Sequence, residues 1–259
     1  MSSDVNYKKL FDLHDRVAVV AGGASGIGKA IAFGLAAHGA NVLIADIDRE
    51  GGAETAAELD RPGKKCLAVE TDVAKPRDVD RMTEKALAAF NKIDILVNSA
   101  GISRAEGPAA NLSEKDWDET IAINLKGTFL CCQAVVPHMK KQKSGRIINI
   151  ASIDARTGSV AGGAHYPASK GGVISLTITL AKRLASSGIL VNAIAPGNTL
   201  TDMVTSLPQD VIDRMIKLTP LRRLAEPREI AAVAVFLASD MSSYVNGQVI
   251  HVDGGVVTF

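Results

Sequence analysis

The sequence predicts an α/β protein built on one parallel sheet of about seven strands, with helices on both faces. Short apolar runs alternate with longer helical patterns along the 259 residues. The runs are continuous in valine, isoleucine and leucine, which is typical of strands that are covered on both faces. Because repeated strand–helix–strand units form parallel sheets with right-handed crossovers, we expect a doubly wound single domain.

Seven apolar runs are the predicted strands, and five longer segments between them are the predicted helices. The strands are RVAVVAG (16–22), NVLIADI (41–47), CLAVETDV (66–73), DILVNSA (94–100), RIINIAS (146–152), ILVNAIAPG (189–197) and QVIHVDGG (248–255). The helices are residues 26–39, 75–92, 113–142, 166–187 and 227–240. The last helix opens with Pro227 after Glu226, and proline is favoured in a first helical turn. The helix at 166–187 is apolar on more than one face, so it is either internal or partly at a subunit interface.

Residues 198–225 form an insertion without a strand partner, between a strand and the last helix. Ligands of open α/β sheets bind beyond the carboxyl ends of the strands, so we expect this insertion to be a lid over the site. The predicted organisation is a short N-terminal extension (1–13) followed by one domain (14–259).

Composition excludes several classes of function. The formal net charge is +1, so no overall field favours nucleic acid or an anionic membrane surface. Aromatic residues make up only 4%, which removes the stacking platforms of single-strand binders. We find neither an apolar run as long as a membrane span nor an N-terminal signal region, so we expect a soluble, cytoplasmic protein.

The three cysteines and five histidines do not form a metal-site pattern. Adjacent Cys131 and Cys132 cannot both turn the same way on a helix, so buried thiols are the better interpretation and a redox pair is the alternative. No histidine stands four residues from another, and no metal is predicted. His165 is the one histidine that could act in a site, because it adjoins Tyr166.

A glycine-rich turn follows the first predicted strand and opens the first helix. In VAVVAGGASGIGKA, Gly22, Gly26 and Gly28 would let the backbone approach a pyrophosphate at the helix N-terminus. A tight turn without a ligand is the alternative. A strand before the turn and a helix after it are the context that the pattern requires, so we predict a dinucleotide site.

Asp46 ends the second predicted strand, near the ~20-residue offset at which a carboxylate accepts hydrogen bonds from an adenosine ribose. A 2′-phosphate ~4 Å away would be repelled by about 4 kcal/mol at an effective dielectric of ~20, on the order of a thousandfold in affinity. Neither Ile47 nor Ser25 supplies a compensating cation. The sequence therefore predicts NAD as cofactor, with a simple helix cap at Asp46 as the alternative.

Tyr166 and Lys170 stand four residues apart at the start of a predicted helix, so they share a face of that helix. An ammonium ~4 Å from a phenolate contributes about 4 kcal/mol, nearly three pKa units, and desolvation partly opposes it. A tyrosine whose pKa moves from about 10 towards 7 can take the proton of an alcohol or return it to a ketone. Tyr166 is therefore the predicted acid/base, and Ser152 would hold the substrate oxygen by a hydrogen bond.

Together these motifs resemble the short-chain dehydrogenase/reductase family over about residues 14–257. The resemblance rests on Gly22-x-x-x-Gly26-x-Gly28, NSAG at 98–101, Ser152, Tyr166-x-x-x-Lys170 and PG at 196–197. It implies a Rossmann-type domain, nicotinamide-dependent oxidation or reduction at a carbon–oxygen centre, and a homotetramer.

The resemblance also implies roles for further residues. Asn124 would support a water-mediated proton path to the lysine, and Asn98 would lie near the cofactor ribose. Asp72 and Val73 would flank the adenine. The remaining cofactor contacts that it implies are Ser25, Ile27, Ala100, Pro196, Thr199, Thr201, Tyr166 and Lys170, of which Thr199 and Thr201 would meet the carboxamide.

Three departures from the family pattern stand out. Ala21 replaces the usual threonine before the first glycine, and Ser99 replaces the second asparagine of NNAG. We expect these two replacements to affect the rigidity of their loops more than the proton and hydride transfer. The gap between Ser152 and Tyr166 is one residue longer than in the family, which suggests an altered active-site wall.

Charged residues near the predicted cleft suggest a substrate. Asp154 and Arg156 follow Ser152, and Arg104 and Glu106 follow the NSAG turn. If they face the cleft and are not solvated loop charges, the substrate carries hydroxyls or a carboxylate. Our main expectation is NAD(H)-dependent interconversion of an alcohol and a ketone in a sugar, polyol or hydroxy acid. Its contacts would be Ser152, Asp154, Arg156 and Tyr166.

Two alternative functions stay open. The segment TPLRRLAEPREIA (219–231) resembles 3-oxoacyl thioester reductases of the same family, which usually prefer NADPH. The other alternative is a nicotinamide-binding regulator without activity. The complete set Asn124, Ser152, Tyr166 and Lys170 weighs against a regulator, since a regulator need not keep a tuned acid/base.

Overall fold

A seven-stranded sheet with all strands parallel forms the centre of the molecule, in the order β3-β2-β1-β4-β5-β6-β7. The computed structural model describes residues 6–60, 65–103, 112–158 and 163–258. The strands are β1 Val17–Ala21, β2 Asn41–Asp46, β3 Cys66–Glu70, β4 Ile95–Asn98, β5 Gly145–Ile150, β6 Ile189–Pro196 and β7 Val249–Val252. All seven predicted strands are confirmed, and each ends before the predicted residue, where the chain leaves the sheet to form the loops of the site.

Helices cover both faces of this sheet. They are α1 Gly26–Ala37, α2 Arg49–Leu59, α3 Pro76–Phe90, α4 Glu114–Thr120, α5 Thr128–Gln142, α6 Asp154–Thr157, α7 His165–Leu184, α8 Asp202–Thr205, α9 Gln209–Leu218 and α10 Pro227–Ala238. A π-helical segment, Ile121–Gly127, joins α4 to α5 without a break. The five predicted helices are confirmed, the third of them as the continuous run from α4 through α5.

The sequence pattern does not predict α2, because adjacent Gly51 and Gly52 lower its helix propensity. A side-chain cap at the start of the helix and burial along one face of it compensate for this weak propensity. The Asp48 side chain caps the helix by accepting a hydrogen bond from Gly51 N (3.0 Å). Thr55 and Leu59 are buried against the sheet. Packing and the cap therefore form a helix that propensity alone leaves undecided.

The hydrophobic core has one half on each face of the sheet. Helices α1, α2 and α10 cover one face, where Ile31, Leu35 and Ile230 are fully buried. Helices α3, α5 and α7 cover the other, where Met82 and Met139 are fully buried. The continuous valine, isoleucine and leucine runs of the strands thus have apolar partners on both sides, as strands of a doubly wound sheet require.

The run Glu114–Gln142 is long and apolar enough to cross a membrane by length and composition alone. In this fold its apolar stripe packs on the sheet, with Cys131, Cys132 and Val135 buried. Burial raises the pKa of the Cys131 thiol well above its usual range and that of Cys132 to about 12. Both thiols are free, so the prediction of inert buried cysteines is confirmed and the run is a core helix.

Candidate active site

The glycine turn after β1 lies against the carboxyl end of β4, at the point where the strand order reverses. Gly22 has φ +81°, and a Cβ on it would lie 2.3 Å from the backbone nitrogen of Ala100. A Cβ on Gly28 would lie 1.8 Å from the Gly22 carbonyl oxygen. The turn therefore presents bare backbone at the N-terminus of α1, a cradle that fits a pyrophosphate.

Substitution of Gly22 by alanine is expected to destabilise the protein and to weaken nicotinamide binding. Gly158 is a matched control, because it also has positive φ (+71°) but none of the described residues has an atom within 4 Å of its Cβ position. Gly158 also has ψ 168°, a conformation that is nearly restricted to glycine, so Gly158→Ala should cost only backbone strain of about 1–3 kcal/mol. Gly22→Ala should lower the free energy of unfolding by more than this, because the added Cβ would clash with the backbone of Ala100. Urea unfolding and NADH titration measure both effects, and equal losses in the two variants would contradict the proposed role of the turn.

Asp46 ends β2 beside the glycine turn. One carboxylate oxygen accepts a hydrogen bond from Ala24 N (2.9 Å) and the other accepts one from Asp48 N (3.1 Å). A carboxylate has about four acceptor positions, so two remain for other donors. The side chain is half-exposed. It is Asp48, and not Asp46, that caps α2, so the helix-cap alternative for Asp46 does not hold.

The two predicted adenine neighbours are held in different ways. Asp72 accepts a hydrogen bond from Ala74 N (3.0 Å) and forms an ion pair with Lys75 (3.1 Å). Val73 is buried, and a Cβ on Gly127 of the π-helical segment would lie 2.7 Å from a Val73 methyl group. The loop after β3 is thereby fixed in place, and the adenine contact itself stays a prediction.

Asn98 turns its side chain into the sheet. Its amide donates to Asn149 Oδ1 (2.8 Å) and Cys132 Sγ (3.4 Å), and it is only 4% exposed. Asn149 donates in turn to Thr177 Oγ1 (2.8 Å) on α7. The amide nitrogen thereby connects the end of β4 with the helix that carries Tyr166, and the predicted place of Asn98 near the cofactor ribose stays a prediction. A polar Asn149 in the apolar run RIINIAS is the signal that could have indicated this network.

Ser152 and Tyr166 meet just beyond the end of β5. Ser152 is buried, and its hydroxyl forms a hydrogen bond with Tyr166 and accepts one from Asp154 N (3.1 Å). The loop is anchored to β6 because Ile153 N donates to the Pro196 carbonyl oxygen (3.1 Å). The structure thus brings together the predicted pair of hydroxyl groups that would hold a carbonyl oxygen.

Lys170 lies beneath Tyr166 on α7, with its Nζ 5.8 Å from the ring centroid. The ammonium donates to the Ile150 carbonyl oxygen (2.8 Å) at the end of β5. A Cβ on Gly101 would be 3.3 Å from both Lys170 Nζ and Asn124 Oδ1. The lysine and the asparagine therefore flank the same glycine, and a proton path between them stays a prediction.

Asn124 lies in the π-helical segment, and such segments are frequent at functional sites. Its side chain exchanges hydrogen bonds with the backbone of Ile102 (2.9 Å each way) and donates to Ser169 Oγ (3.1 Å). The wider turn places the amide between the loop after β4 and α7. Ser169 has no motif of its own, and sequence reasoning missed it.

The pKa of Tyr166 differs from the value expected from its spacing to Lys170. Burial raises the pKa of Tyr166 to about 12; the Ser152 hydrogen bond opposes this rise and the Asp154 charge adds to it. Burial lowers the pKa of Lys170 to about 8. The predicted lowering of the tyrosine pKa is wrong for the protein alone, because burial is the largest influence on the pKa of Tyr166. A protonated phenol above an ammonium is suited to give a proton to a carbonyl oxygen.

The reduction rate is expected to fall as the pH rises through about 8, the pKa of Lys170. Below that pH the ammonium is present and stabilises the phenolate that forms when Tyr166 gives up its proton. Above it the charge is lost, and kcat/KM should drop about tenfold per pH unit. The measurement is kcat/KM for ketone reduction from pH 6 to 10, with circular dichroism at each pH to show that the protein stays folded. A flat profile to pH 10 would contradict the role of the lysine charge.

The predicted substrate residues separate in the structure. Asp154 is half-buried, and its charge acts on Tyr166. Arg156 is exposed, and its charge acts on His251 of β7, whose pKa is lowered by burial and by that charge. Asp154 thus lies beside the hydroxyl pair, whereas a substrate contact by Arg156 stays a prediction. Arg104 and Glu106 lie outside the described residues.

Two glycines near Tyr166 pack closely against side chains. A Cβ on Gly163 would be 2.5 Å from the His165 ring, and one on Gly172 would be 2.6 Å from Leu125. Gly162 lies outside the described residues. His165 is fully buried, and neither ring nitrogen has a hydrogen-bond partner among the described residues.

The insertion after β6 is closed at its base by a bridge between Thr199 and Ala225. Leu200 N donates to the Ala225 carbonyl oxygen (2.8 Å), and Ala225 N donates to the Asn198 carbonyl oxygen (2.9 Å). A Cβ on Gly26 would lie 3.3 Å from the Thr201 methyl group. The insertion thus leaves and rejoins the fold beside the glycine turn. Its role as a lid stays a prediction.

The fold and the site together define a nicotinamide-dependent oxidoreductase of the Rossmann type. The family model described as "Enoyl-(Acyl carrier protein) reductase" matches residues 22–257. The chain is 42% identical to the 3-oxoacyl-[acyl-carrier-protein] reductase FabG of Staphylococcus epidermidis, over 93% of this chain and 99% of that one. The chain belongs to the short-chain dehydrogenase/reductase family.

Two further similarities agree with this assignment. The chain is 45% identical to subunit BbsD of (2S)-[(R)-hydroxy(phenyl)methyl]succinyl-CoA dehydrogenase from Thauera aromatica, over 94% of this chain and 97% of that one. The crystal structure of levodione reductase superposes with a TM-score of 0.90 at 35% identity, covering 94% of this chain and 98% of that one.

The main expectation for the substrate, a small polar alcohol, is wrong. Relatives from Thermotoga maritima, Synechocystis and Staphylococcus aureus, 40–43% identical, are also named 3-oxoacyl-[acyl-carrier-protein] reductase. They favour the first alternative, the acyl thioester reductase. The expectation rested on charged residues near the predicted cleft, of which Asp154 acts on Tyr166, Arg156 is exposed, and Arg104 and Glu106 lie outside the described residues.

Proposed function

We propose that this protein interconverts 3-oxoacyl and 3-hydroxyacyl thioesters with a nicotinamide cofactor. The observation that carries the proposal is the likeness over nearly full length to relatives named for acyl-carrier-protein and coenzyme A thioesters. Apolar side chains exposed on the insertion support it, because they suit an acyl chain better than a polyol; they include Leu200, Met203, Leu218 and Leu221.

In the reduction, the 3-oxo group would lie against the Ser152 and Tyr166 hydroxyls, which polarise its carbon–oxygen bond. The nicotinamide, when bound, supplies the hydride that adds to the carbonyl carbon. Tyr166 donates its phenolic proton to the oxygen, and the 3-hydroxyacyl product forms. The Lys170 ammonium stabilises the resulting phenolate until Tyr166 regains a proton through the Asn124 side.

We also infer a preference for NAD(H) over NADP(H). Asp46 supports this, because its carboxylate keeps free acceptor positions for ribose hydroxyls and would repel a 2′-phosphate. Ser25, exposed at the start of α1, adds no positive charge. This preference separates the proposal from the alternative in the sequence analysis, which paired the thioester substrate with NADPH.

The test follows nicotinamide absorbance with acetoacetyl-CoA and with sorbitol, using NADH and NADPH for reduction and NAD and NADP for oxidation. We expect acetoacetyl-CoA reduction with NADH and no measurable oxidation of sorbitol. Cofactor binding without turnover of any longer 3-oxoacyl thioester would favour the regulator.

A cytoplasmic location and a homotetramer remain proposals, and sedimentation velocity tests the homotetramer.

A further inference from the structure

Asp154 is a carboxylate beside the reacting centre that the mechanism does not use. Its backbone N–H donates to Ser152 Oγ (3.1 Å), the same oxygen that is hydrogen-bonded to Tyr166. It begins α6, which packs against the start of α7. The residue is therefore tied through its backbone to the pair of hydroxyls that would hold a substrate oxygen.

The carboxylate of Asp154 is half-buried and has no hydrogen-bond or ion-pair partner among the described residues. Loss of solvent around it raises its pKa, and its charge in turn reaches Tyr166. The nearby cations are engaged elsewhere. Lys170 donates to the Ile150 carbonyl oxygen, and the Arg156 charge acts on His251. Among the described residues, no cation is paired with this negative charge, which acts on Tyr166.

We propose that Asp154 makes the site selective for 3-oxoacyl groups in neutral, esterified form and excludes the corresponding free 3-oxo acids. The substrate class rests on the proposed function. In a 3-oxoacyl compound, the C1 group is two bonds from the carbonyl carbon, so with the 3-oxo oxygen at Ser152 and Tyr166 it lies within about 6 Å of that pair. A thioester or ester there is uncharged, whereas a free acid places a second carboxylate beside Asp154.

The expected discrimination is worked out for a C1 carboxylate that lies about as far from the Asp154 carboxylate as from the hydroxyl pair. Two like charges about 6 Å apart at an effective dielectric of ~20 repel each other enough to lower affinity about a hundredfold. Because Asp154 is only half-buried, solvent screens part of this repulsion, and we expect a preference of at least about tenfold. Specificity would thus come from a repulsive group, in addition to any attraction for the carrier.

The test compares methyl acetoacetate with acetoacetate, which differ at C1 in charge and in one methyl group and need no carrier. We would measure kcat/KM for each with the wild type, Asp154→Asn, Asp154→Ala and Asp154→Glu. Asp80→Asn is the matched control, since Asp80 is exposed on α3. The ratio of ester to acid is the measured quantity, because any change in Tyr166 affects both substrates alike.

We expect the ratio to be at least about tenfold in the wild type, Asp154→Glu and Asp80→Asn, and to approach one in Asp154→Asn and Asp154→Ala. An unchanged ratio in both neutral variants would overturn the proposal, and so would failure of the wild type to reduce the ester. The proposed function fails separately, if acetoacetyl-CoA and longer 3-oxoacyl thioesters are not reduced. The two outcomes are therefore distinguishable.

Discussion

Replacing Tyr166 with phenylalanine is expected to lower kcat by about a thousandfold or more, the size of effect that removal of a general acid produces. The ring remains, so its packing at the start of α7 is kept. The variant loses the proton for the substrate oxygen and the hydrogen bond to Ser152. Because the glycine turn and Asp46 are untouched, NADH affinity should stay within about threefold, which would place the loss in the chemical step.

Tyr244→Phe is the control for this variant. Tyr244 is fully exposed near the C-terminus, so the same loss of a phenolic hydroxyl should leave kcat unchanged. Steady-state rates with acetoacetyl-CoA and NADH titrations of the free protein measure both effects. If Tyr166→Phe kept more than about a tenth of the wild-type kcat, another group would have to supply the proton, and the mechanism proposed here would be wrong.

Replacing Asp46 with asparagine is expected to move cofactor preference towards NADPH by up to about a thousandfold in the ratio of kcat/KM values. The amide has nearly the shape of the carboxylate and keeps one acceptor for Ala24 N or Asp48 N. It removes the negative charge that a 2′-phosphate would meet. Some loss of NADH efficiency should accompany the change, because ribose hydroxyls would lose a charged acceptor.

Glu50→Gln controls for a general change in charge, since Glu50 is exposed in the first turn of α2. We expect it to alter the ratio less than about threefold, because solvent screens an exposed charge. Urea unfolding of both variants would show that the turn after β2 is intact. A wild type that already prefers NADPH, or an Asp46→Asn ratio within tenfold of the wild type, would contradict the inferred NAD(H) preference.

The chemical centre could be predicted because its residues carry strong local constraints. Gly22 and Gly28 meet backbone at distances that only glycine tolerates, and Tyr166 and Lys170 are one helical turn apart at the start of a buried helix. Such spacings are visible in a linear sequence. The structure assembles these residues with Ser152 and Asn124 at the carboxyl ends of the strands, where an α/β sheet binds its ligands.

Directions of side chains could not be predicted in the same way. Asp154 and Arg156 are two residues apart in sequence, yet one acts on Tyr166 and the other on His251 of a distant strand. Asn98 points into the sheet because strand pairing places Asn149 beside it. The pKa of Tyr166 depends on how far the whole fold buries it, and spacing to Lys170 does not contain that information.

The sequence by itself determined the parallel sheet, the dinucleotide turn and the Tyr166–Lys170 pair, because periodicity, glycine at forced turns and helical spacing are local properties. Tertiary structure alone decided that α2 forms, that the Arg156 charge acts on His251, and that the Asp154 carboxylate has no partner among the described residues. These outcomes depend on contacts between residues far apart in the chain. Packing and desolvation sum over all such neighbours, and no window of sequence contains them.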